Sequence, residues 1–191
     1  MSKVISGDEM KKIFCNPNKL TLYRIAAIPV IVILLIFPNK ISNFSAAILF
    51  SAAAITDYLD GYYARRRGLV SSLGKMMDPL ADKLLVCSSF IMLTSLGWIP
   101  AWVVCIIVGR ELAVTGLRNV IADNGEDVSA SNLGKYKTGF QIAAIIPLLI
   151  NFEYFGINFH AIGIFFLWAA LFFTVWSAVD YFMKFGRLLK E

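Results

Sequence analysis

Long apolar stretches alternate with short polar segments along this chain. The apolar stretches run approximately through residues 20–37, 44–64, 79–96, 99–121, 138–152 and 159–183. A helix needs about 20 apolar residues to cross the hydrocarbon core of a bilayer, so each stretch predicts one spanning helix. The fifth is short, and we expect it to be tilted or to extend into the interface. The pattern predicts an all-α integral membrane protein with six transmembrane helices.

The N-terminal segment differs from these stretches. Residues 3–14 mix apolar and charged side chains in a way that suits a short amphipathic segment on the membrane interface, and a disordered tail fits equally well. The predicted single domain thus has an interfacial segment at 1–19, a six-helix bundle at 20–184 and a tail at 185–191. No internal repeat or linker divides it.

Composition and charge placement support this interpretation. Of the 191 residues, 58% are hydrophobic and 16% are charged, which excludes an ordinary water-soluble domain. With six spans, Lys40 alone falls on the side opposite both termini, so the positive-inside rule predicts a multi-pass cell-membrane protein with cytoplasmic termini. The net charge of +5 is then mostly topological. It can attract anionic membrane lipids, and we expect no nucleic-acid partner.

Four carboxylates at helical spacing stand out within the apolar sequence: Asp57, Asp60, Asp78 and Asp82. Residues three or four apart on a helix share a face, so each pair predicts two carboxylates pointing the same way. Residues 63–74 between the pairs, rich in arginine and glycine, predict a short polar turn. The four carboxylates are therefore expected to meet at the cytoplasmic edge.

Carboxylates so close together repel one another unless a cation lies between them, and hard divalent ions prefer oxygen ligands. We therefore expect one or two Mg²⁺ or Mn²⁺ ions, two being favoured. The alternative is that the aspartates cap helices, and Asp78 before Pro79 is a typical helix start. That alternative is weaker for Asp57 and Asp60, because a carboxylate at membrane depth is costly without a partner or a function.

Other groups of residues are candidate binding sites. Asn18, Thr21 and Arg24 share one face of the first helix and can donate to a nucleotide; the alternative is a cap at Asn18 and an Arg24 that snorkels to the interface. Small residues at 61, 64 and 74 let a nucleotide approach the backbone, although close helix packing also explains them.

Basic residues also interrupt the later helices. Arg110 lies deep in the fourth apolar stretch, where its neighbour Glu111 cannot fully satisfy it, because adjacent helical residues point about 100° apart. Arg110 therefore needs another partner, such as a motif aspartate or a substrate phosphate. Arg118, Lys135 and Lys137 are either topological charges or part of a phosphate pocket with Arg110.

The motif Asp57-x-x-Asp60-Gly61-x-x-Ala64-Arg65, eight residues, Gly74-x-x-x-Asp78-x-x-x-Asp82 resembles the signature of the CDP-alcohol phosphotransferase family. The rest of the chain is similar too, through Pro17-Asn18, Gly109-Arg110-Glu111-Leu112 and Leu133-Gly134-Lys135-Tyr136-Lys137, and looks most like the members that make phosphatidylglycerophosphate. The resemblance implies transfer of a phosphatidyl group from CDP-diacylglycerol to glycerol 3-phosphate with release of CMP. It also suggests a homodimer.

The resemblance further implies residue roles. Asp57, Asp60 and Asp78 would be metal ligands, and Asp82 would be the general base and touch the second metal. CDP-diacylglycerol would be bound by Asn18, Thr21, Arg24, Gly61, Ala64, Arg65 and Gly74, and glycerol 3-phosphate by Arg110, Arg118, Lys135 and Lys137. Relatives that use inositol phosphate, serine or phosphatidylglycerol share the core motif, so the acceptor rests on whole-chain similarity.

Two other classes also place acidic residues in membranes. Intramembrane prenyltransferases pair aspartate-rich motifs with Mg²⁺, and ion-coupled transporters line their ion paths with carboxylates. Both fit less well. The prenyltransferases, as a family, are longer, with more helices and a different aspartate spacing. Transporter sites usually lie near mid-membrane between repeated halves, whereas these aspartates lie near the basic edge.

Overall fold

Helices account for most of the chain in the computed structural model, which describes residues 17–67, 72–123, 132–154 and 156–185, with side chains within 22–56, 80–118, 136–153 and 156–183. The elements of this part are α1 Pro17–Ile36, α2 Lys40–Arg67, α3 Ser72–Ser95, α4 Ala101–Asp123, α5 Asn132–Ile150, β1 Glu153–Tyr154, β2 Ile157–Asn158 and α6 Phe159–Phe185. Each predicted apolar stretch lies largely on one helix, so the helical prediction is confirmed.

Several helices extend into polar sequence. The turn predicted for residues 63–74 is too long, because α2 continues to Arg67 and α3 begins at Ser72. Asp78 lies six residues inside α3, so the prediction that it caps a helix is wrong. The predicted turn was too long because polar side chains do not by themselves end a helix. The predicted cap was wrong because membrane helices tolerate a proline such as Pro79 in their interior. The short fifth stretch is likewise extended, to a helix of 19 residues.

The start of α1 also differs from one alternative. Pro17 is its first helical residue, a position where the missing N–H costs nothing. Asn18 therefore lies within the first turn, and the interpretation of Asn18 as the residue that caps the helix is wrong. The predicted interfacial segment over residues 3–14 lies outside the described residues, as does the C-terminal tail from residue 186.

The chain divides into two compact units, residues 1–89 and 90–191. In the first unit, α1 packs against α2. The buried residues of each helix recur every three or four positions: Arg24, Ala27, Ile31 and Leu35 on α1, and Asn43, Ala46, Ala47, Phe50 and Ala53 on α2. This period places one stripe of each helix in the interface. Alanines on α2 allow the two helix backbones to approach closely.

In the second unit, α6 packs against both α5 and α4. Gly163 on α6 meets Leu148 on α5, whereas Phe173, ten residues later, stacks on Phe140 with ring centroids 4.8 Å apart. The residue numbers of the contacting positions increase along α6 and decrease along α5, so the two helices are antiparallel. Trp102 and Trp168, whose ring centroids are 5.7 Å apart, join α4 to α6.

A two-residue antiparallel hairpin, β1 with β2, precedes α6 and was not predicted. Asn151 opens it with a φ of 54°, a left-handed conformation that asparagine tolerates. His160 Nδ1 lies 2.8 Å from Asn151 Oδ1. His160 thus ties the start of α6 to the hairpin.

Among the described residues, one helical segment is long and apolar enough to cross a membrane, Phe159–Met183 on α6. Shorter apolar helical segments are Leu22–Ile36, Lys40–Thr56 and Tyr136–Ile150. Large apolar side chains on α6 are exposed, among them Phe165, Trp168, Phe172 and Trp176. An exposed apolar face of this size is typical of contact with lipid.

Candidate functional site

Five polar side chains meet inside the second unit, and we call them the polar cluster: Arg110 and Glu111 on α4, Lys137 and Gln141 on α5, and Ser177 on α6. All except Arg110 are at most 6% exposed. They lie near the middle of α4, between the start and the middle of α5, and in the second half of α6. Because α5 runs antiparallel to α6, those segments lie at the same level of the unit.

Glu111 is the centre of the polar cluster. Its Oε1 accepts hydrogen bonds from Lys137 Nζ and, at 3.4 Å, from Gln141 Nε2. Lys137 and Gln141 are four residues apart, so they lie on the same face of α5. Charged groups are rarely this buried unless they are paired, and this pairing explains how Lys137 is buried at 5% exposure. Lys137 therefore has a buried side-chain partner, and its contribution to membrane topology stays a prediction.

Arg110 has the additional partner that its position requires. Its Nη2 donates a hydrogen bond of 2.5 Å to Ser177 Oγ. Its Nη1 lies 3.6 Å from Glu111 Oε1, within ion-pair range but too far for a hydrogen bond. The prediction that Glu111 cannot satisfy Arg110 alone is confirmed, and the additional partner is a serine hydroxyl.

The polar cluster carries more positive than negative charge. Arg110 and Lys137 face the single carboxylate of Glu111, and the Nε of Arg110 is buried without a hydrogen-bond partner among the described residues. A guanidinium with an unused donor is suited to a phosphate, which can accept two parallel N–H bonds. The arrangement therefore has the charge and the donors to hold an anion.

A cleft of about 410 Å³ opens beside Arg110 between α4 and α6. Its other lining residues are apolar: Ile106, Val175, Ala178, Val179, Phe182 and Met183. The guanidinium thus lies between the buried polar cluster and an apolar surface.

In the first unit, Arg24 is 2% exposed. The alternative in which Arg24 snorkels to the interface is wrong, because its side chain is enclosed by protein.

Asp82 on α3 is partly buried, and its neighbours Ala81 and Leu85 are at most 1% exposed. Asp57 and Asp60 both lie on α2, and Asp78 shares α3 with Asp82, so the helical spacing of both pairs is confirmed.

The remaining predicted residues are described less fully. Arg118 is exposed on α4, two turns beyond Arg110, which fits either of its two interpretations. Side chains outside the described part include Asn18, Thr21, Asp57, Asp60, Gly61, Ala64, Arg65, Gly74, Asp78 and Lys135. Whether the two aspartate pairs meet therefore stays a prediction. Among the described residues no group of three or more His, Cys, Asp or Glu side chains is placed to hold a metal ion.

Sequence reasoning missed Gln141 and Ser177. A signal existed for Gln141, because it lies one turn after Lys137 on the same helical face. Ser177 lies seven residues beyond Ala170 on a buried stripe that also contains Thr174 and Tyr181. Polar residues repeating at helical spacing in so apolar a helix indicate a buried polar face.

Comparison with known proteins addresses the whole chain. The sequence profile of the CDP-alcohol phosphatidyltransferase family matches residues 14–176, which is most of the chain. The chain belongs to this family. The predicted family is therefore confirmed, and the prenyltransferase and transporter alternatives are set aside.

Individual members of the CDP-alcohol phosphatidyltransferase family are similar over nearly their whole length. A protein of Bacillus subtilis is 45% identical over 93% of this chain and 98% of its own. One of Rickettsia typhi is 41% identical over 87% and 94%, and one of Arabidopsis thaliana is 36% identical over 93% and 82%. All three are named as CDP-diacylglycerol–glycerol-3-phosphate 3-phosphatidyltransferases, the Arabidopsis protein as number 2. The chain is a mostly helical, membrane-associated member of this family.

Proposed function

We propose that this protein transfers the phosphatidyl group of CDP-diacylglycerol to glycerol 3-phosphate, giving phosphatidylglycerophosphate and CMP. The observation that carries the proposal is that relatives with this name align over most of both chains at 36–45% identity. The polar cluster supports it, since Arg110 and Lys137 both face the carboxylate of Glu111 and have the charge to receive the acceptor's phosphate.

In the proposed reaction the primary hydroxyl of glycerol 3-phosphate attacks the phosphatidyl phosphorus, and the bond from that phosphorus to the CMP oxygen breaks. Asp82, by similarity to the family, takes the hydroxyl proton. The product is an anionic lipid, and CMP leaves with the bonding electrons. Glycerol 3-phosphate is charged and water-soluble, and the donor carries a charged diphosphate while its acyl chains stay in lipid, so the site belongs at the membrane interface.

The aspartates are suited to divalent cations, because the donor set consists of carboxylate oxygens at helical spacing. We assign Asp57, Asp60, Asp78 and Asp82 as ligands of two Mg²⁺ or Mn²⁺ ions. When bound, such ions neutralise charge on the diphosphate as CMP departs. The four side chains would hold the donor through these ions, and Asp82 would also orient the attacking hydroxyl.

The finer assignments are proposals of the same kind. We assign the donor to Asn18, Thr21, Arg24, Gly61, Ala64, Arg65 and Gly74, and the phosphate of the acceptor to Arg110, Arg118, Lys135 and Lys137. Buried Arg24 supports the first group, and the pairing of Arg110 and Lys137 through Glu111 supports the second. We further propose six spans, cytoplasmic termini and active site, and a homodimer in the cell membrane.

The test is incorporation of radiolabelled glycerol 3-phosphate into lipid by the purified protein with CDP-diacylglycerol and Mg²⁺ or Mn²⁺. Inositol phosphate, serine and phosphatidylglycerol serve as rival acceptors. We expect labelled lipid and stoichiometric CMP with glycerol 3-phosphate, no product after chelation of the metal, and restoration by added metal.

The control is Asp82→Asn, which keeps the shape of the side chain and removes its basicity; activity should fall by a factor of about 10² or more. Release of CMP only with another acceptor would show that the assigned substrate is wrong. No CMP with any acceptor, from folded protein, would overturn the proposed chemistry.

A further inference from the structure

We propose that Ser177 is a positioning residue for the acceptor site: its hydroxyl fixes the guanidinium of Arg110 in the direction that receives the phosphate. This inference rests on the proposed function, in which Arg110 binds that phosphate. No local sequence motif joins Ser177 to Arg110, because the two residues are 67 positions apart and on different helices.

The contact between the two residues is tertiary and enclosed. Arg110 Nη2 donates to Ser177 Oγ at 2.5 Å, with the serine 2% exposed and the arginine side chain 11% exposed. A hydrogen bond to a charged group contributes more than a neutral one, and burial shields it from competing water. Ser177 therefore holds one end of the guanidinium against α6.

Glu111 cannot perform this positioning alone. Its Oε1 lies 3.6 Å from Arg110 Nη1 and already accepts from Lys137 and Gln141. The ion pair attracts the guanidinium without fixing its plane, since Coulomb attraction depends weakly on direction. Among the described residues, Ser177 is thus the side chain that gives Arg110 a contact with hydrogen-bond geometry.

Fixing the plane matters because the guanidinium still has a hydrogen-bond donor that is not used. Its Nε is buried without a hydrogen-bond partner in the described part of the chain. A phosphate is bound by two parallel N–H groups only when the guanidinium plane is already aligned, and a free arginine loses rotamer entropy on becoming aligned. Removal of the Ser177 hydroxyl should therefore weaken acceptor binding and leave donor binding unchanged.

The chain offers a matched control one turn earlier on the same helix. Thr174 is fully buried, and its Oγ1 has no hydrogen-bond partner among the described side chains. Thr174→Val removes a buried hydroxyl from α6 at nearly constant volume. It reports what loss of such a hydroxyl does to packing alone.

The experiment compares steady-state kinetics of Ser177→Ala, Ser177→Thr and Thr174→Val, each purified in detergent and checked for thermal stability. We expect Ser177→Ala to raise the apparent KM for glycerol 3-phosphate about fivefold to tenfold, with kcat and the KM for CDP-diacylglycerol within about twofold of the unmodified protein. Ser177→Thr keeps a hydroxyl and should restore most of the affinity. Thr174→Val should leave all three constants unchanged.

A second series separates this inference from the function on which it depends. Arg110→Gln should itself raise the KM for glycerol 3-phosphate, and adding Ser177→Ala to it should raise that KM no further, because the two residues act as one unit. If Arg110→Gln has this effect and Ser177→Ala alone does not, the positioning role is refuted while the acceptor site stands.

Two other results would also overturn the proposal. Equal increases in both KM values for Ser177→Ala, or a change matched by Thr174→Val, would indicate a purely structural role. No change of the acceptor KM in Arg110→Gln would show that the acceptor site is assigned wrongly, and the role of Ser177 would be refuted with it.

Discussion

At the scale of single residues, the charge balance of the polar cluster depends on Glu111. It is 6% exposed, and its one carboxylate faces both Lys137 and Arg110. A buried ion pair contributes little net stability compared with an apolar pair, but removing one partner leaves the other charge buried and uncompensated. The effect of a substitution here therefore depends on whether it leaves a lone charge.

Glu111→Gln should destabilise the protein strongly. The amide removes the negative charge that faces both Lys137 and Arg110, so we expect a loss of about 3 kcal/mol in the free energy of unfolding. Thermal unfolding in detergent, followed by intrinsic tryptophan fluorescence, measures it as a lower midpoint.

The matched control is Glu153→Gln, which removes an exposed carboxylate on β1 and should change stability by less than about 0.5 kcal/mol. Combining Glu111→Gln with Lys137→Met should cost less than the sum of the single changes, because each single change already breaks the same ion pair. An unchanged midpoint for Glu111→Gln would contradict the ion pairing.

At the scale of helices, the α5–α6 interface depends on a close approach at Gly163. A β-carbon added there would lie 2.5 Å from Leu148 Cγ, 2.9 Å from Leu148 Cδ2 and 3.0 Å from the Leu148 backbone nitrogen. The side chain of Leu148 can rotate, but the backbone nitrogen moves only with the helix. Small residues at such positions are what allow membrane helices to pack closely.

Gly163→Ala should therefore separate α5 from α6 locally and cost about 1–3 kcal/mol, the usual range for an overpacked core. Gly139→Ala on α5 is the matched control, because nothing lies within 4 Å of its added β-carbon. There, replacing glycine with alanine inside a helix should stabilise by about 0.5–1 kcal/mol. The same thermal assay measures both, and a stabilising Gly163→Ala would show that the interface is looser than described.

At the scale of the whole molecule, membrane association follows from the family and from the exposed apolar face of α6. The orientation proposed here rests on the distribution of basic residues, with Lys40 alone on the outer side. Charged loops are retained on the cytoplasmic side during insertion, so this distribution predicts sidedness without any tertiary contact.

Cysteine labelling tests that orientation. In a variant with Cys15, Cys87 and Cys105 replaced by serine, Pro38→Cys in the exposed connection before α2 should react with a membrane-impermeant maleimide in intact cells. Glu191→Cys at the C-terminus should react only after the membrane is permeabilised. An odd number of spans between the two sites places them on opposite sides of the membrane. Labelling of both sites in intact cells, or of neither, would contradict this arrangement with a cytoplasmic C-terminus.

Helix ends show the limit of local patterns. Apolar length predicted the central part of each helix, but α2 continues through Arg67 and α3 already begins at Ser72. Arginine and serine do not forbid helix, and proline at 79 is accommodated inside α3, so composition alone misplaced these ends. The hairpin before α6 was missed because two-residue strands carry too little periodicity to detect.

The sequence by itself determined the helical character of the chain, the helical spacing of the aspartates and the family. Each of these depends on residues close together in the chain or on direct sequence similarity. Only the tertiary structure decided that Glu111 pairs with Lys137, 26 residues away, and that Arg110 donates to Ser177, 67 residues away. Such pairs depend on the direction and rotation of whole helices. Helix packing determines both, and the spacing of residues along the chain does not predict them.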